Sequence, residues 1–220
     1  MPLTTTSYAI LGLLDIREWT AYDLTQQARR SLAHVWPISE SQLYAEPKRL
    51  ASEGLITIRN GAAGPTRTRQ VLRITAKGRK ALRGWLATEP AAPRVQMEVL
   101  VRVLFGTAGT REDLLAALDA TRRSAQAAYD EGRAVLTTYR TGGNPFPERL
   151  HANVIWMVFV HDLLLLTLQW VDFARAEVAA WPDVATGVGG DRLDRLVEAM
   201  ATGAPTLLTP ELRRSSTAVD

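Results

Sequence analysis

Cysteine is absent from this 220-residue sequence. That excludes disulfides, thiolate metal sites and cysteine nucleophiles, and it suits a reducing cytoplasm. Histidine is scarce as well. His34, His151 and His161 are too scattered to argue for a metal site. No serine–histidine–acid triad is discernible. The Gly187–Gly190 stretch lacks the Lys and Ser/Thr that would complete a phosphate loop. Enzymatic activity and a bound cofactor are therefore not expected. Met1–Thr6 offers no basic segment ahead of an apolar one, so no signal peptide is expected.

Long apolar runs are almost missing too. The exception, Val154–Phe173, is about as long as a membrane-spanning helix requires. His161, Asp162, Gln169 and Asp172 interrupt it, and charges at mid-bilayer cost a few kcal/mol each. A helix covered on several sides in a dimer core explains the same composition, and no membrane association is expected.

What is present is a lopsided charge. Residues 1–90 hold 13 Lys/Arg against 7 Asp/Glu, whereas residues 91–220 hold 13 against 16. A basic half joined to a mildly acidic one suggests that the first half meets a polyanion. Pro65–Arg83 sharpens the point, with Arg67, Arg69, Arg73, Lys77, Arg79, Lys80 and Arg83 and no acid.

Periodicity and capping signals predict the elements. A short apolar helix covers Thr5–Leu14, and Asp15–Trp19 reads as a turn. Thr20, with Asp23 three residues on, begins a second helix that runs to about Leu32. Ser39 and Gln42 form a capping box for a third helix, which closes at Glu53-Gly54. Leu55–Arg59 and Arg69–Ile74 read as strands around the turn-forming Asn60–Pro65. Thr75 caps a fourth helix ending near Leu86. A hairpin straight after the third helix is the layout of a winged helix-turn-helix. Glu89–Arg94 reads as a linker. Helices are then expected over Val95–Phe105, Thr110–Tyr139, Glu148–Trp181 and Asp191–Met200. The expected architecture is mainly α: a DNA-binding domain over 1–88 with a two-stranded wing, an all-helical dimerisation and effector domain over 95–203, and a flexible tail over 204–220.

On the third helix Leu43, Pro47 and Leu50 share one face and should pack inward. The opposite face carries Ser41, Ala45, Lys48, Arg49 and Ser52, flanked by Gln42 and Tyr44. Small residues early on that face allow close entry into a major groove, where Lys48 and Arg49 can reach phosphates or guanine edges. Ser39, at the helix start, joins this set of DNA-binding candidates. The hairpin tip combines glycines for reach with Arg67 and Arg69, and arginines that neutralise phosphates release condensed counterions.

Five blocks carry a resemblance. Ser7–Leu14 (SYAILGLL), Ala21–Leu24 (AYDL), Trp36–Tyr44 (WPISESQLY), Lys48–Ile56 (KRLASEGLI) and Arg73–Leu86 (RITAKGRKALRGWL) resemble the PadR family of bacterial transcriptional regulators, and the likeness covers nearly all of residues 5–87. It implies a homodimer that sets one recognition helix per protomer into a major groove of double-stranded DNA with a wing beside it. It further implies sequence-specific regulation, usually repression, relieved by a small-molecule effector or another signal. Under that resemblance Tyr22, Ser41, Gln42, Tyr44, Lys48, Arg67 and Arg69 lie at or near DNA. Two departures stand out. Pro47 occupies a position where a helix-compatible apolar residue is common, so a kink or a late helix start is expected. Leu72 stands where a tyrosine is frequent.

In the second half, Trp156, His161, Asp162 and Trp170 are candidates for an effector pocket or a dimer interface, because a histidine and an aspartate amid an apolar helix need partners. The rival reading is a helical interaction module whose winged helix no longer binds DNA, with Pro47 as its main support.

Overall fold

The computed structural model describes residues 2–61, 69–185 and 191–203. The chain divides into two compact units, Met1–Pro93 and Arg94–Asp220.

In the first unit the order is α1 (Thr5–Ile16), β1 (Trp19–Thr20), α2 (Ala21–Leu32), α3 (Glu40–Ser52), β2 (Ile56–Gly61), β3 (Arg69–Ile74) and α4 (Ala76–Leu86). The helices begin where side chains satisfy their first N–H groups. Thr4, Thr20, Ser39 and Thr75 each accept a hydrogen bond from the backbone three residues on, and the boxes at Thr4/Ser7 and Ser39/Gln42 are reciprocal. Gly54, with φ of 70°, turns the chain out of α3.

The wing is a three-stranded sheet, β1-β3-β2, where sequence periodicity predicted two strands. The segment read as a turn before α2 pairs Trp19 with Leu72 and Thr20 with Val71. Two residues are too few to show a period, and the pairing is set by tertiary contact: Trp19 is buried and its indole N–H donates to the Leu13 carbonyl at 2.8 Å. Leu72 is buried between its neighbours Trp19 and Ile58, so the position lacking a tyrosine serves the core. Ile10, Leu11, Leu14, Leu24, Leu50, Ile56 and Ile74 fill the rest of that core. α4 packs tightly because residue 78 has no side chain: a Cβ there would lie 2.2 Å from the Leu55 carbonyl oxygen.

The second unit holds α5 (Glu98–Leu104), α6 (Arg111–Arg140), α7 (Leu150–Ala180) and α8 (Asp191–Ala201). α5 starts three residues later than periodicity predicted, and Met97 ahead of it supplies no side-chain cap. α6 and α7 run antiparallel, tied by Arg122–Asp172 at 2.7 Å, Arg175–Asp119 at 2.5 Å and a hydrogen bond from Arg111 to the Trp181 carbonyl at 2.8 Å. The buried cluster Val99, Leu114, Leu118, Val171, Ala174 and Val178 sits where the start of α6 meets the end of α7, with Trp170 and Trp181 against it. The first half of α7 is different: Val154, Ile155, Val158 and Phe159 are exposed.

Candidate nucleic-acid interface

α3 presents its faces as helical phase dictates. Leu43, Pro47 and Leu50 are buried, while Ser41, Gln42, Tyr44, Ala45, Lys48 and Ser52 are exposed. Pro47 lies inside the helix, and Glu40–Ser52 continues through it as one element beginning at its cap, so the late start does not occur. Its ring faces inward with the apolar side chains, which keeps it off the outer surface.

Ser39 and Gln42 are engaged with each other. The Gln42 amide oxygen accepts from the Ser39 N–H at 3.3 Å and from its hydroxyl at 3.1 Å, while Ser39 Oγ accepts from the Gln42 N–H at 3.3 Å. Ser41 Oγ lies 3.1 Å from Ser39 Oγ. The exposed start of α3 is thereby a compact polar tip. Tyr22, in the first turn of α2, is 65% exposed and Tyr44 is 44% exposed. The ion pair Arg29–Glu40 at 2.6 Å ties the end of α2 to the start of α3.

Arg49 departs from the expected arrangement. Its guanidinium does not extend from the outer face: it is forked onto Glu46 through Nε and Nη2, donates from Nη1 to Glu53 at 2.7 Å, and donates from Nη2 to the buried Ser7 hydroxyl of α1 at 2.8 Å. The position, two residues beyond Pro47, lies on the flank where α3 crosses α1, close enough for inward partners. The Arg49 hydrogen bonds hold the Glu46 carboxyl below the usual carboxylate range against the opposing effect of burial, helped by Ser7, and Glu46 in turn raises the Arg49 pKa.

The same logic explains where the basic surplus goes. Six of the acids in this unit are occupied internally: Asp15 pairs with Arg79, Glu18 with Arg73, Glu40 with Arg29, and Glu46 and Glu53 with Arg49, while Asp23 accepts from Thr20. Lys48, Arg30, Arg59, Lys80 and Arg83 form no ion pair among the described residues and are exposed. Five of these acids sit against arginines, and the unpaired cations stay on the outside.

On the wing, register puts Thr57 opposite Arg73, Arg59 opposite Val71 and Gly61 opposite Arg69. Arg59 and Arg73 are exposed while Leu72 and Ile74 point inward. The backbone of Arg69 is thus placed at the last described pair of the hairpin; Arg67 lies outside the described residues.

The four candidates of the second unit do not converge. Trp156 and Trp170 stand 14 residues apart on α7, about 21 Å along the axis. Trp170 packs against the buried cluster and Trp156 is half-buried. His161 and Asp162 satisfy each other, with Nδ1 and Oδ1 3.0 Å apart, and the Tyr129 ring of α6 lies 5.3 Å from the imidazole. Sequence reasoning found neither Tyr129 nor Ser7, since both act across helix contacts that no local pattern announces.

Residues 10–84 match the model of the transcriptional regulator PadR-like family. The negative transcriptional regulator PadR of Bacillus subtilis (strain 168) is 33% identical over 107 residues, which span 48% of this chain and 59% of that relative. The chain therefore matches less than two thirds of this relative's length. Among solved structures, Bacillus subtilis PadR in complex with operator DNA superposes with a TM-score of 0.64 at 22% identity, covering 80% of this chain and 99% of the other. A PadR-like transcriptional regulator from Bacillus cereus gives 0.67 at 18% identity, covering 80% and 97%. The Vibrio cholerae virulence activator AphA gives 0.60 at 22%, covering 80% and 99%. At these identities the structural likeness concerns the fold, a winged helix with a helical second domain.

Proposed function

We propose that this chain, whose residues 10–84 match the model of the PadR-like family, is a dimeric, sequence-specific DNA-binding transcriptional regulator of the cytoplasm. The observation that carries this reading is the combination on one unit of an exposed recognition helix, a basic wing and unpaired cations, while six of the unit's seven acids are engaged elsewhere. Tyr22, Ser39, Ser41, Gln42, Tyr44 and Lys48 meet the major groove, and Arg67 and Arg69 meet phosphates or the adjacent minor groove. A related structure is that of Bacillus subtilis PadR in complex with operator DNA, which supports DNA as the partner. Another is that of the same protein in complex with p-coumaric acid, which supports a small-molecule effector. The curated relative is a negative regulator, which favours repression.

The degenerate-module reading loses its main support, because α3 runs unbroken through Pro47. α7 is long and apolar enough to cross a membrane by length and composition, with 17% of its most apolar window buried within the single chain. A second copy is the better cover, because Asp172 and Arg175 on α7 are ion-paired to the charged helix α6. Selection of duplexes from a random pool by the purified protein tests the proposal. Enrichment of a two-fold-symmetric sequence is expected, with half-sites about one helical turn apart. Recovery of unrelated sequences would sink it.

A further inference from the structure

Resting on that DNA-binding reading, we propose that Arg49, with Glu46 and Ser7, is a clamp that aims the recognition helix, and that Arg49 is a positioning residue rather than a phosphate or base contact. Three observations carry this. First, four of the five guanidinium N–H donors are engaged: the fork lies on Glu46, Nη1 is on Glu53 and Nη2 is also on Ser7. A planar fork that grips one carboxylate in this way cannot at the same time grip a phosphate or a guanine edge.

Second, the anchor is rigid. Ser7 is fully buried on α1, beside the core residues Ile10 and Leu11. Its hydroxyl donates to Glu46 Oε1 at 2.5 Å and accepts from Arg49 and, at 2.8 Å, from the Thr4 N–H that opens α1. One oxygen therefore joins the cap of α1 to the middle of α3.

Third, the clamp straddles the weak point of the helix. Pro47 has no N–H to give the Leu43 carbonyl, so one rung between the DNA-facing first half and the second half is missing. Glu46 precedes the proline and Arg49 follows it. Their ion pair bridges the gap from the side, and Ser7 fixes the bridge to α1. The neighbouring Lys48, exposed and outside any ion pair, keeps the task of contacting phosphate.

The test uses the full chain, the duplex that the wild type selects from a random pool, and an unrelated duplex of equal length, each titrated across a salt series. Ser7→Ala and Arg49→Gln should each weaken the selected duplex about tenfold, the scale of one hydrogen bond to a charged group. The unrelated duplex and the slope of log affinity against log salt should stay as in the wild type. Arg49→Lys keeps the charge and loses the fork, and should behave like Arg49→Gln; it also serves if the latter folds poorly. The Ser7→Ala/Arg49→Gln double variant should lose no more than either single, because the two side chains share one network. Lys48→Ala should flatten the slope by about 0.9, as loss of one phosphate contact does. The proposal is overturned if Arg49→Gln flattens the slope in that way while Ser7→Ala binds like the wild type, or if the two losses multiply. Should the wild type select no duplex, the DNA-binding reading fails and the clamp is judged by amide exchange in residues 45–52. Faster exchange in Ser7→Ala and Arg49→Gln than in Lys48→Ala upholds it, and equal exchange overturns it.

Discussion

The two units of this chain spend similar apolar content in opposite ways. In the first, Ile10, Leu11, Leu24, Leu50 and Leu72 are all but inaccessible, and short helices close around a small sheet. In the second, two helices of 30 and 31 residues meet in a buried cluster at one end, and the other end of α7 shows Ile155 at 76% and Phe159 at 61% exposure. Contiguous exposed apolar patches are the usual mark of an interaction surface. The first unit buries its large apolar side chains within itself and the second leaves a row of them exposed, a distinction that composition alone conceals.

The sharpest way to break this comparison is a cavity in the first unit. Leu50→Ala should destabilise the fold by about 2–5 kcal/mol, the range for a buried leucine. Ile155→Ala should leave the thermal midpoint of a dissociated protomer almost unchanged. Equal losses at both sites, measured by denaturant melts at low protein concentration, would dissolve the contrast.

Next in size is an effect on assembly. The full chain is expected to sediment as a dimer and the fragment 1–88 as a folded monomer that binds DNA poorly, because linked half-sites gain an effective concentration that one winged helix lacks. Ile155→Asp combined with Phe159→Asp should give a full-length monomer with normal helix content. A wild type that sediments as a monomer yet holds its operator tightly would return the apolar half of α7 to some other role.

A smaller effect probes the surface of the first unit. Replacing Arg67 and Arg69 together by Ala should weaken binding to every duplex and flatten the salt slope by up to about two phosphate contacts, with no change in melting. An unaltered slope removes the wing from the interface.

The smallest effect concerns acid. Glu46 titrates below the usual carboxylate range in the folded protein, mainly through its hydrogen bonds from Arg49. Its contribution is therefore present above the ordinary glutamate value of about 4.3 and is lost as pH falls through the lowered folded value. The stability difference between the wild type and Glu46→Gln should shrink below about pH 4. A difference that stays constant from neutrality down to strong acid would show that the carboxylate charge is immaterial.

Much of the first unit was legible because its signals are local. Ser39 with Gln42, Thr20 with Asp23 and Thr75 ahead of α4 mark helix starts within four residues of sequence, and Leu43, Pro47 and Leu50 announce their face by spacing. What escaped notice depends on distance along the chain. Arg49 looked like an outward cation until Ser7, 42 residues earlier, supplied an inward partner. β1 exists because Leu72, far downstream, offers a free strand edge to Trp19. The candidate quartet on α7 was drawn together by residue type, whereas the axial rise of a helix sets Trp156 and Trp170 far apart.

Thr20 has a consequence for the lengths that this chain tolerates. It is the last residue of β1, paired with Val71, and also the cap whose hydroxyl accepts from the Asp23 N–H. Strand and helix therefore share a residue, and no slack separates them. A single residue inserted between Trp19 and Ala21 would force a choice between keeping the tryptophan against Leu72 and keeping α2 capped, turning Tyr22 by about 100° if the helix winds on from the old start. The spacing from Trp19 to Tyr22 is thus a ruler, one that admits exchange of side chains more readily than any change in count.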